Sequence, residues 1–337
     1  MTRLVRAWKS GSAKGGWVGV LAVAAAALVV LSGCGGGPSP SAANDGPGNV
    51  GPALSQAIAP DEWVSNSSDF KEAANWDSAK EVSVTLGAGT LTPTNLELVA
   101  GQPYVIDIKN ADTVDHGWSA LEFMRASATR KVESPSSEIK MRLIKTINVH
   151  PGKSMPIFIV PVLPGVTKME GLTNGSPTAG MTGTISVTGT APTSPAPVIE
   201  SLSTVGEVAG ATNLVKAALP AWSTAATVMI EMGDNDEVHF FKPKITTLKL
   251  GVPVVMTFVN KGNVLHEYDA TDLFKTIAVW KVSNAEGWVE GAVVRPADLE
   301  AGGQTSLYVI PTKSGTFTLT DSTPGMESMA ATIEVVA

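Results

Sequence analysis

The chain has 337 residues, with 24 lysines and arginines against 31 aspartates and glutamates. Four of the bases lie within residues 1–33, which contain no acid, so residues 34–337 carry 20 bases against 31 acids. This acidic excess argues against a nucleic-acid binder, which needs a basic face to neutralise phosphates. The apolar fraction of 44% predicts a folded core. The single cysteine, Cys34, excludes an internal disulfide, a cysteine-rich zinc site and an iron–sulfur cluster.

The N-terminal segment has the composition of a targeting signal. Residues 1–15 are basic, and residues 16–31 form one apolar run that leads into Leu31-Ser32-Gly33-Cys34. A basic start followed by a short apolar run is typical of a secretory signal peptide. The last four residues resemble the bacterial lipobox, in which the cysteine is acylated and becomes the mature N-terminus. The resemblance implies a lipoprotein signal peptide over 1–33, a lipid on Cys34, and a bacterial cell-envelope location facing the periplasm or the exterior. An uncleaved membrane anchor is the alternative.

Two segments of low complexity divide the rest of the chain. Residues 34–79 begin with glycine, proline and serine and predict a flexible tether that contains a short helix. Residues 191–224 open with a proline-rich stretch and predict a linker. Two domains are therefore predicted, over 80–190 and 225–337.

The two predicted domains repeat one another. A shift of 150 residues aligns 93–165 on 243–315 without a gap, and 15 of the 73 positions are identical. Six of the identities are glycine or proline, so the turns between strands are part of what repeats. The β-branched and aromatic stretches between these turns predict strands, and their density predicts an all-β fold with one β-sandwich per repeat. The polar composition of residues 163–180, with several glycines and prolines, predicts an exposed, turn-rich loop.

The second repeat contains Phe241-Lys-Pro-Lys, then Asn260, then His266-Glu-Tyr268. This order resembles the front half of cupredoxins, the small blue-copper β-sandwiches of the plastocyanin and azurin type. Two further segments resemble the C-terminal half of the cupredoxin sequence pattern. They are Asp321 to Val335 in the second repeat and Gly171 to Val187 in the first. The resemblance covers most of the two predicted domains. It implies two tandem cupredoxin-like Greek-key β-sandwiches.

The same resemblance assigns the positions at which cupredoxins hold copper. A type 1 centre needs two histidines, one cysteine thiolate and a weak axial methionine. In the second repeat the first histidine is His266, the cysteine position is Asp321, the second histidine position is Met326 and the axial methionine is Met329.

The first repeat retains fewer of these residues. The resemblance assigns the first histidine to His116 and the axial methionine to Met181. Gly171 and Ser176 stand at the cysteine and second-histidine positions. Because Cys34 lies outside both repeats, the sequence predicts that neither can form a type 1 blue centre.

Two functions fit these residues. In the first, a cell-envelope lipoprotein holds or hands over copper through His266, Asp321, Met326 and Met329. In the second, the sandwiches are a non-metal scaffold or accessory subunit of an envelope or membrane redox complex, and the methionines only fill space. The four histidines of the chain cannot supply the additional clusters of a multicopper oxidase, so no enzyme is expected. The expected partners are the membrane, through the acylated cysteine, and an envelope protein complex. No nucleic acid and no small-molecule substrate are predicted.

An acidic stretch precedes the second repeat. Asp234 and Asp236 lie in it and could suggest a calcium loop, but the spacing of an EF-hand is missing. The pattern favours a solvated turn.

Overall fold

A computed structural model describes residues 58–235, 238–326 and 328–337. The predicted signal peptide, Cys34 and the first part of the tether lie outside the described residues. Within the described part of the chain, no helix is long and apolar enough to cross a membrane.

The described chain begins with strand β1 (Glu62–Val64), helix α1 (Ser67–Ala73) and a 3₁₀ helix at Trp76–Ser78. The short helix predicted within residues 34–79 corresponds to α1. Short strands then follow one another, as the β-branched pattern predicts. In the first half these are β2 (Lys80–Gly87), β3 (Thr90–Thr92), β4 (Asn95–Val99), β5 (Tyr104–Asn110), β6 (His116–Ser119), β7 (Ser127–Glu133), β8 (Glu138–Ile139), β9 (Met141–Val149), β10 (Ser154–Pro161), β11 (Gly165–Thr173) and β12 (Ser176–Thr188), with α2 (Leu121–Arg125) after β6.

The predicted linker is followed by the same order of elements. Residues 191–224 contain β13 (Ile199–Ser201), helix α3 (Ala211–Ala218) and 3₁₀ helices at Leu202–Val205 and Leu219–Thr224. The second half then comprises β14 (Ala226–Asn235), β15 (Val238–Lys242), β16 (Ile245–Lys249), β17 (Val254–Asn260), β18 (His266–Asp269), α4 (Thr271–Phe274), β19 (Ile277–Ser283), β20 (Gly287–Val294), β21 (Ala297–Leu299), β22 (Gln304–Pro311), β23 (Gly315–Asp321) and β24 (Ala330–Val336).

In the described residues these strands form layered sheets, which confirms the all-β sandwich prediction. One sheet has the order β3-β2-β5-β10-β7-β8, and another has the order β16-β24-β23-β18-β21. A third sheet of eleven strands has the order β15-β14-β17-β22-β19-β20-β9-β6-β11-β12-β4. Its centre is the antiparallel pairing of β20 with β9, from Gly287 beside Val149 to Val294 beside Met141. Each half therefore contributes strands to one shared sheet.

The hydrophobic core continues from one half to the other along this shared sheet. Buried and exposed side chains alternate along strands such as β4 and β16, which each bury every second residue. Buried side chains of both halves, Ile147 and Val289 among them, belong to one continuous apolar cluster. The paired strands β9 and β20 carry that cluster across the boundary between the halves.

The loop prediction for residues 163–180 is wrong. These residues form most of a β-hairpin, in which β11 pairs with β12 and the turn contains Asn174 and Gly175. Both turn residues have positive φ, 51° and 74°, as the tight Asn-Gly hairpin turn requires. Met169 and Met181 are fully buried on this hairpin, so burial of its apolar face outweighs its polar composition.

The repeat extends upstream of residue 93 with a different offset. Lys80 pairs with Tyr104 in the first half, and Ala226 pairs with Val254 in the second. The offset between Lys80 and Ala226 is 146 residues rather than 150, so the hairpin of β14 and β15 is four residues longer than that of β2 and β3. This longer hairpin carries Asp234.

Candidate functional site

His116 and His266 begin equivalent strands, β6 and β18, and both side chains are buried. The loop before each histidine is held by an asparagine at a repeated position. Asn260 Nδ2 donates hydrogen bonds to the carbonyls of Val264 at 2.7 Å and Leu299 at 2.9 Å. The aligned asparagine of the first half makes the equivalent two bonds. The repeated asparagine therefore fixes where the histidine ring enters the sandwich.

In the second half the buried ring meets a buried carboxylate. His266 Nδ1 donates to Asp321 Oδ2 at 2.5 Å, and both side chains are fully enclosed. The other carboxylate oxygen, Oδ1, accepts from the backbone N–H of Thr323 at 2.8 Å and of Glu267 at 3.2 Å. These donors stabilise the ionised form of the carboxylate. The position that the resemblance assigned to the cysteine is thus occupied by an anion that contacts the histidine itself.

A second carboxylate faces the opposite side of the same ring. Asp234 Oδ1 lies 3.4 Å from His266 Nε2 and accepts the backbone N–H of Asn263 at 2.9 Å. The expectation that Asp234 lies in a solvated turn is wrong, because the residue belongs to β14 and closes the site. Sequence reasoning missed this contact, although the four extra residues of the hairpin were a signal for it.

The two carboxylates determine the charge of the ring. Burial alone would lower the pKa of His266, but the hydrogen bond and charge of Asp321, together with Asp234, raise it above its ordinary value. Burial would raise the pKa of Asp321, and the hydrogen bonds from His266 and Thr323 lower it instead. Because an ionised carboxylate only accepts hydrogen bonds, the contacts of both ring nitrogens with carboxylates favour the doubly protonated, positively charged ring.

The first half reaches a similar arrangement from a different position. His116 Nε2 donates to Asp112 Oδ2 at 3.0 Å, and the same oxygen of Asp112 accepts the backbone N–H of Ala88 at 3.0 Å. In the second half Gly262 stands at the position of Asp112, and the hairpin supplies Asp234 instead. In the first half the loop supplies the carboxylate and the hairpin supplies the backbone N–H, whereas in the second half the hairpin supplies the carboxylate and the loop the N–H. In both halves the Nε2 atom of the histidine faces a carboxylate.

The other nitrogen of His116 has no carboxylate partner among the described residues. Nδ1 lies 3.1 Å from the Thr173 hydroxyl and 3.3 Å from the Leu172 carbonyl. At Gly171, the cysteine position, a Cβ would stand 2.7 Å from both Cβ and Cε of Met181. Met181 therefore fills the space that a ligand side chain at position 171 would need, as a packing residue.

The two predicted methionine ligands of the second half lie in different surroundings. Met329 is fully buried in the apolar cluster, whereas Met326 is partly exposed. The backbone N–H of Asp321 donates to the Met329 carbonyl at 3.2 Å, and that of Met329 donates to the Met326 carbonyl at 2.8 Å. The structure thus brings His266, Asp321 and Met329 to one end of the sandwich.

These residues do not fit a copper ion as they are arranged. A ligand nitrogen must direct a lone pair at the metal, whereas both nitrogens of His266 face carboxylate oxygens. Within the described ranges no cluster of three or more histidine, cysteine, aspartate and glutamate side chains could hold a metal ion. The site is a histidine held between two acids.

Comparisons with known proteins give similarities of fold. No protein-family model matches the sequence, and no curated protein matches it. Among solved structures, the chain is similar to a Cu-containing nitrite reductase from Thermus scotoductus (TM-score 0.27, 13% identity, 77% of this chain and 62% of that one). It is also similar to a multicopper oxidase from Campylobacter jejuni (TM-score 0.29, 11% identity, 79% and 65%). A third is the copper nitrite reductase from Nitrosomonas europaea (TM-score 0.28, 16% identity, 76% and 94%).

The chain spans less than two thirds of the first two of these proteins. The likeness is one of fold, and scores this low carry no argument about function. One expectation from the sequence is nevertheless not upheld. The sequence led us to expect that the protein is not an enzyme, whereas these structural neighbours are oxidases and reductases.

Proposed function

We propose that the protein is a cell-envelope lipoprotein, anchored through Cys34, whose two cupredoxin-like sandwiches form a scaffold in an envelope or membrane redox complex. One observation carries the scaffold assignment. His266, at the retained copper-ligand position, is held between Asp321 and Asp234. An internal ion pair stands where the family holds a metal.

This arrangement gives the histidine a structural role. A buried ion pair costs desolvation and stabilises a fold only when hydrogen bonds satisfy its remaining donors and acceptors. Here Asp321 accepts the backbone N–H groups of Glu267 and Thr323 in addition to the ring, and Asp234 accepts that of Asn263. The pair therefore ties β18 to β23 and to the hairpin of β14 at one end of the second sandwich.

Copper binding is the second candidate. Its support is that Asp321, His266 and Met329 adjoin at one end of the sandwich, since imidazole, carboxylate and thioether are all copper ligands. Copper would have to displace the proton that Nδ1 donates to Asp321.

Equilibrium dialysis of the detergent-purified full chain against Cu(II), and against Cu(I) under reducing conditions, separates the two candidates. The scaffold proposal expects no copper retained at micromolar concentration, and no difference between the wild type and His266→Ala. Stoichiometric copper that is lost in His266→Ala and Met329→Ala, but kept in His116→Ala, would replace the scaffold proposal with copper holding.

The membrane anchor has its own test. The chain is expressed in a bacterial host with a labelled fatty acid, and the membrane and soluble fractions are compared. The proposal expects label on the wild type and none on Cys34→Ser, with the variant no longer processed to a lipid-bearing form. Equal labelling of both chains would contradict lipidation at Cys34.

A further inference from the structure

Three aromatic rings surround the ammonium group of Lys281 on the second sandwich. Lys281 Nζ lies 4.6 Å from the ring centres of Trp280 and Trp288 and 4.7 Å from that of Tyr308. These side chains are partly exposed. The buried ring of Trp222, from the 3₁₀ helix of the predicted linker, packs on Trp280 and Tyr308 with centres 5.3 and 5.8 Å away. We call the four rings the aromatic cluster.

The first half holds its equivalent lysine in a different way. Lys131 stands 150 residues before Lys281, and its Nζ lies 4.9 Å from the ring centre of Phe158. The same ammonium group forms ion pairs with Glu133 and Glu138. In the first half this position is therefore closed by contacts within the protein.

The second half lacks both of these acids. Ser283 and Trp288 stand at their positions in the repeat alignment. Among the described residues no carboxylate forms an ion pair with Lys281. Burial lowers the pKa of Lys281, and the more distant charges of Glu290 and Asp115 raise it by less. The surface is thus left open in the second half.

The charges around the aromatic cluster do not favour an ionic ligand. The rings already surround one ammonium group, so they are not free for a second cation. Glu290 accepts a hydrogen bond from Trp288 Nε1 at 3.2 Å, and Asp115 pairs with His150 at 2.8 Å. With these two carboxylates near Lys281, an anion would meet no net positive charge. A neutral ligand suits this surface best.

A cavity of about 290 Å³ lies on the same side of the sheet. Small-molecule sites start at about 300 Å³, so the cavity has room for one small ring. The residues that line it carry no charged side chain. The polar ones are Ser136 from the first half and Ser283, Asn284, Gln304 and Ser306 from the second.

The cavity adjoins the aromatic cluster. Lys281 is paired with Tyr308, and Ser283 with Ser306, across strands β19 and β22. Ser283 is also paired with Trp288 on β20. Residues two apart on a strand share a face and lie about 7 Å from each other. The rings and the cavity therefore form one continuous surface.

Three polar groups of the cavity have no hydrogen-bond partner in the described part of the chain. They are the hydroxyl groups of Ser136 and Ser283 and the side-chain amide of Gln304. The other two, Asn284 and Ser306, are held by hydrogen bonds to neighbouring hydroxyl groups. Hydroxyl and amide groups both donate and accept. The cavity thus offers hydrogen bonds of both kinds without a charge.

We infer that this surface binds a neutral carbohydrate. The C–H groups of a sugar ring form an apolar face that packs on aromatic rings, and its hydroxyl groups both donate and accept hydrogen bonds. The aromatic cluster and the cavity supply these two kinds of partner side by side. One sugar unit occupies the cavity and its neighbour lies against the rings. This inference does not depend on the proposed function.

The test measures oligosaccharide binding to the full chain. The protein is kept in a detergent with a polyoxyethylene headgroup, because sugar-based detergents would compete. Saturation-transfer NMR and calorimetry follow three neutral probes, cellotetraose, maltotetraose and the tetramer of N-acetylglucosamine, with tetragalacturonate as the anionic comparison. We expect at least one neutral probe to bind at millimolar concentration, and more tightly than tetragalacturonate. Binding of no neutral probe, or tightest binding of tetragalacturonate, overturns the inference.

Variants locate the bound sugar. Gln304→Ala, at an exposed position, should weaken binding about fivefold, the effect of one lost hydrogen bond. The double variant Ser283→Glu with Trp288→Glu places the acids of the first half beside Lys281 and should abolish binding. The matched control Glu133→Ser should bind as the wild type does.

Thermal unfolding establishes that each variant is folded. Because Gln304 is exposed, Gln304→Ala is expected to fold even if the double variant does not. An unchanged affinity in Gln304→Ala overturns the inference in either case. Weakened binding in Glu133→Ser to the same extent as in Gln304→Ala also overturns it.

Discussion

Asp234 reaches His266 across the bare backbone of Gly262. A Cβ on Gly262 would stand 2.0 Å from Asp234 Oδ1 and 2.9 Å from His266 Nε2, and neither distance is tolerable. In the first half the corresponding residue is Asp112, which itself contacts the histidine. Asp234 can therefore contact His266 only because position 262 has no side chain, whereas in the first half the residue at the equivalent position supplies the carboxylate itself.

Replacing Gly262 by alanine should open this end of the site. Forcing a methyl group into occupied space typically costs about 1–3 kcal/mol, and we expect Gly262→Ala to lower the free energy of unfolding in urea by that amount. In an Asp234→Ala background part of the cost should disappear, because the 2.0 Å contact is gone while the backbone nitrogen of Asp234 remains 2.8 Å away. Strictly additive losses would show that the two residues do not interact.

Removing the charge of Asp321 should be costly. Breaking a buried ion pair by changing one partner leaves the other charge unpaired, at a typical cost of about 3–5 kcal/mol. We expect Asp321→Asn to approach this range in urea unfolding, while the exposed control Asp272→Asn stays within about 0.5 kcal/mol of the wild type. A loss below about 1 kcal/mol in Asp321→Asn would mean that the pair does not hold this end of the sandwich.

The same pair predicts a pH dependence with a defined sign. The pKa of His266 is raised on folding, so its contribution is complete below its ordinary value of about 6.5 and is lost as the pH rises through the folded pKa. The pKa of Asp321 is lowered on folding, so its contribution is present above about pH 4 and is lost as the pH falls through the folded pKa.

The pair should therefore stabilise most between these two limits. We expect the unfolding free energy of the wild type to decline on the alkaline side more steeply than that of His266→Gln, which lacks the titrating ring. Urea titrations at pH 5.5, 7.0 and 8.5 measure both slopes. Equal pH dependences of the two chains would show that the pKa of the His266 ring is the same in the folded and the unfolded state.

Met329 distinguishes packing from metal ligation. It is fully buried in the apolar cluster, so Met329→Leu, which conserves volume, should cost less than about 1.5 kcal/mol. Met329→Ala should cost about 2–5 kcal/mol because it leaves a cavity. If the thioether were a copper ligand, both variants would lose retained copper equally in the dialysis experiment, whatever their stabilities.

Local sequence signals predicted much of the fold. Alternating apolar residues and repeated glycine and proline depend only on near neighbours along the chain, so they predicted strands and turns. The Asn174-Gly175 turn shows the weakness of composition as a guide. Residues 163–180 are polar enough to suggest a loop, yet two buried methionines and a tight turn make them a hairpin.

The site was predictable only in part. The motif resemblance assigned His266, Asp321, Met326 and Met329 to one cluster of ligands. In the structure His266 contacts Asp321, and the backbone of Asp321 is hydrogen-bonded to that of Met329. Their roles were not predictable, because a ring nitrogen can face a metal or a proton acceptor with the same residues in place. Asp234 was missed because its contact depends on the length of a hairpin and on the absence of a side chain at Gly262.

The amino-acid sequence by itself determined that the described chain is built from strands, that its two halves repeat, and that no cysteine thiolate is available to either half for a blue copper centre. These properties follow from composition and from spacing along the chain. Only the tertiary structure decided that β9 and β20 join the halves in one sheet, that Lys140 lies among acids of both halves, and that His266 lies between two carboxylates. Each of these contacts joins side chains far apart in sequence, and their energies depend on burial and distance, which exist only once the chain has folded.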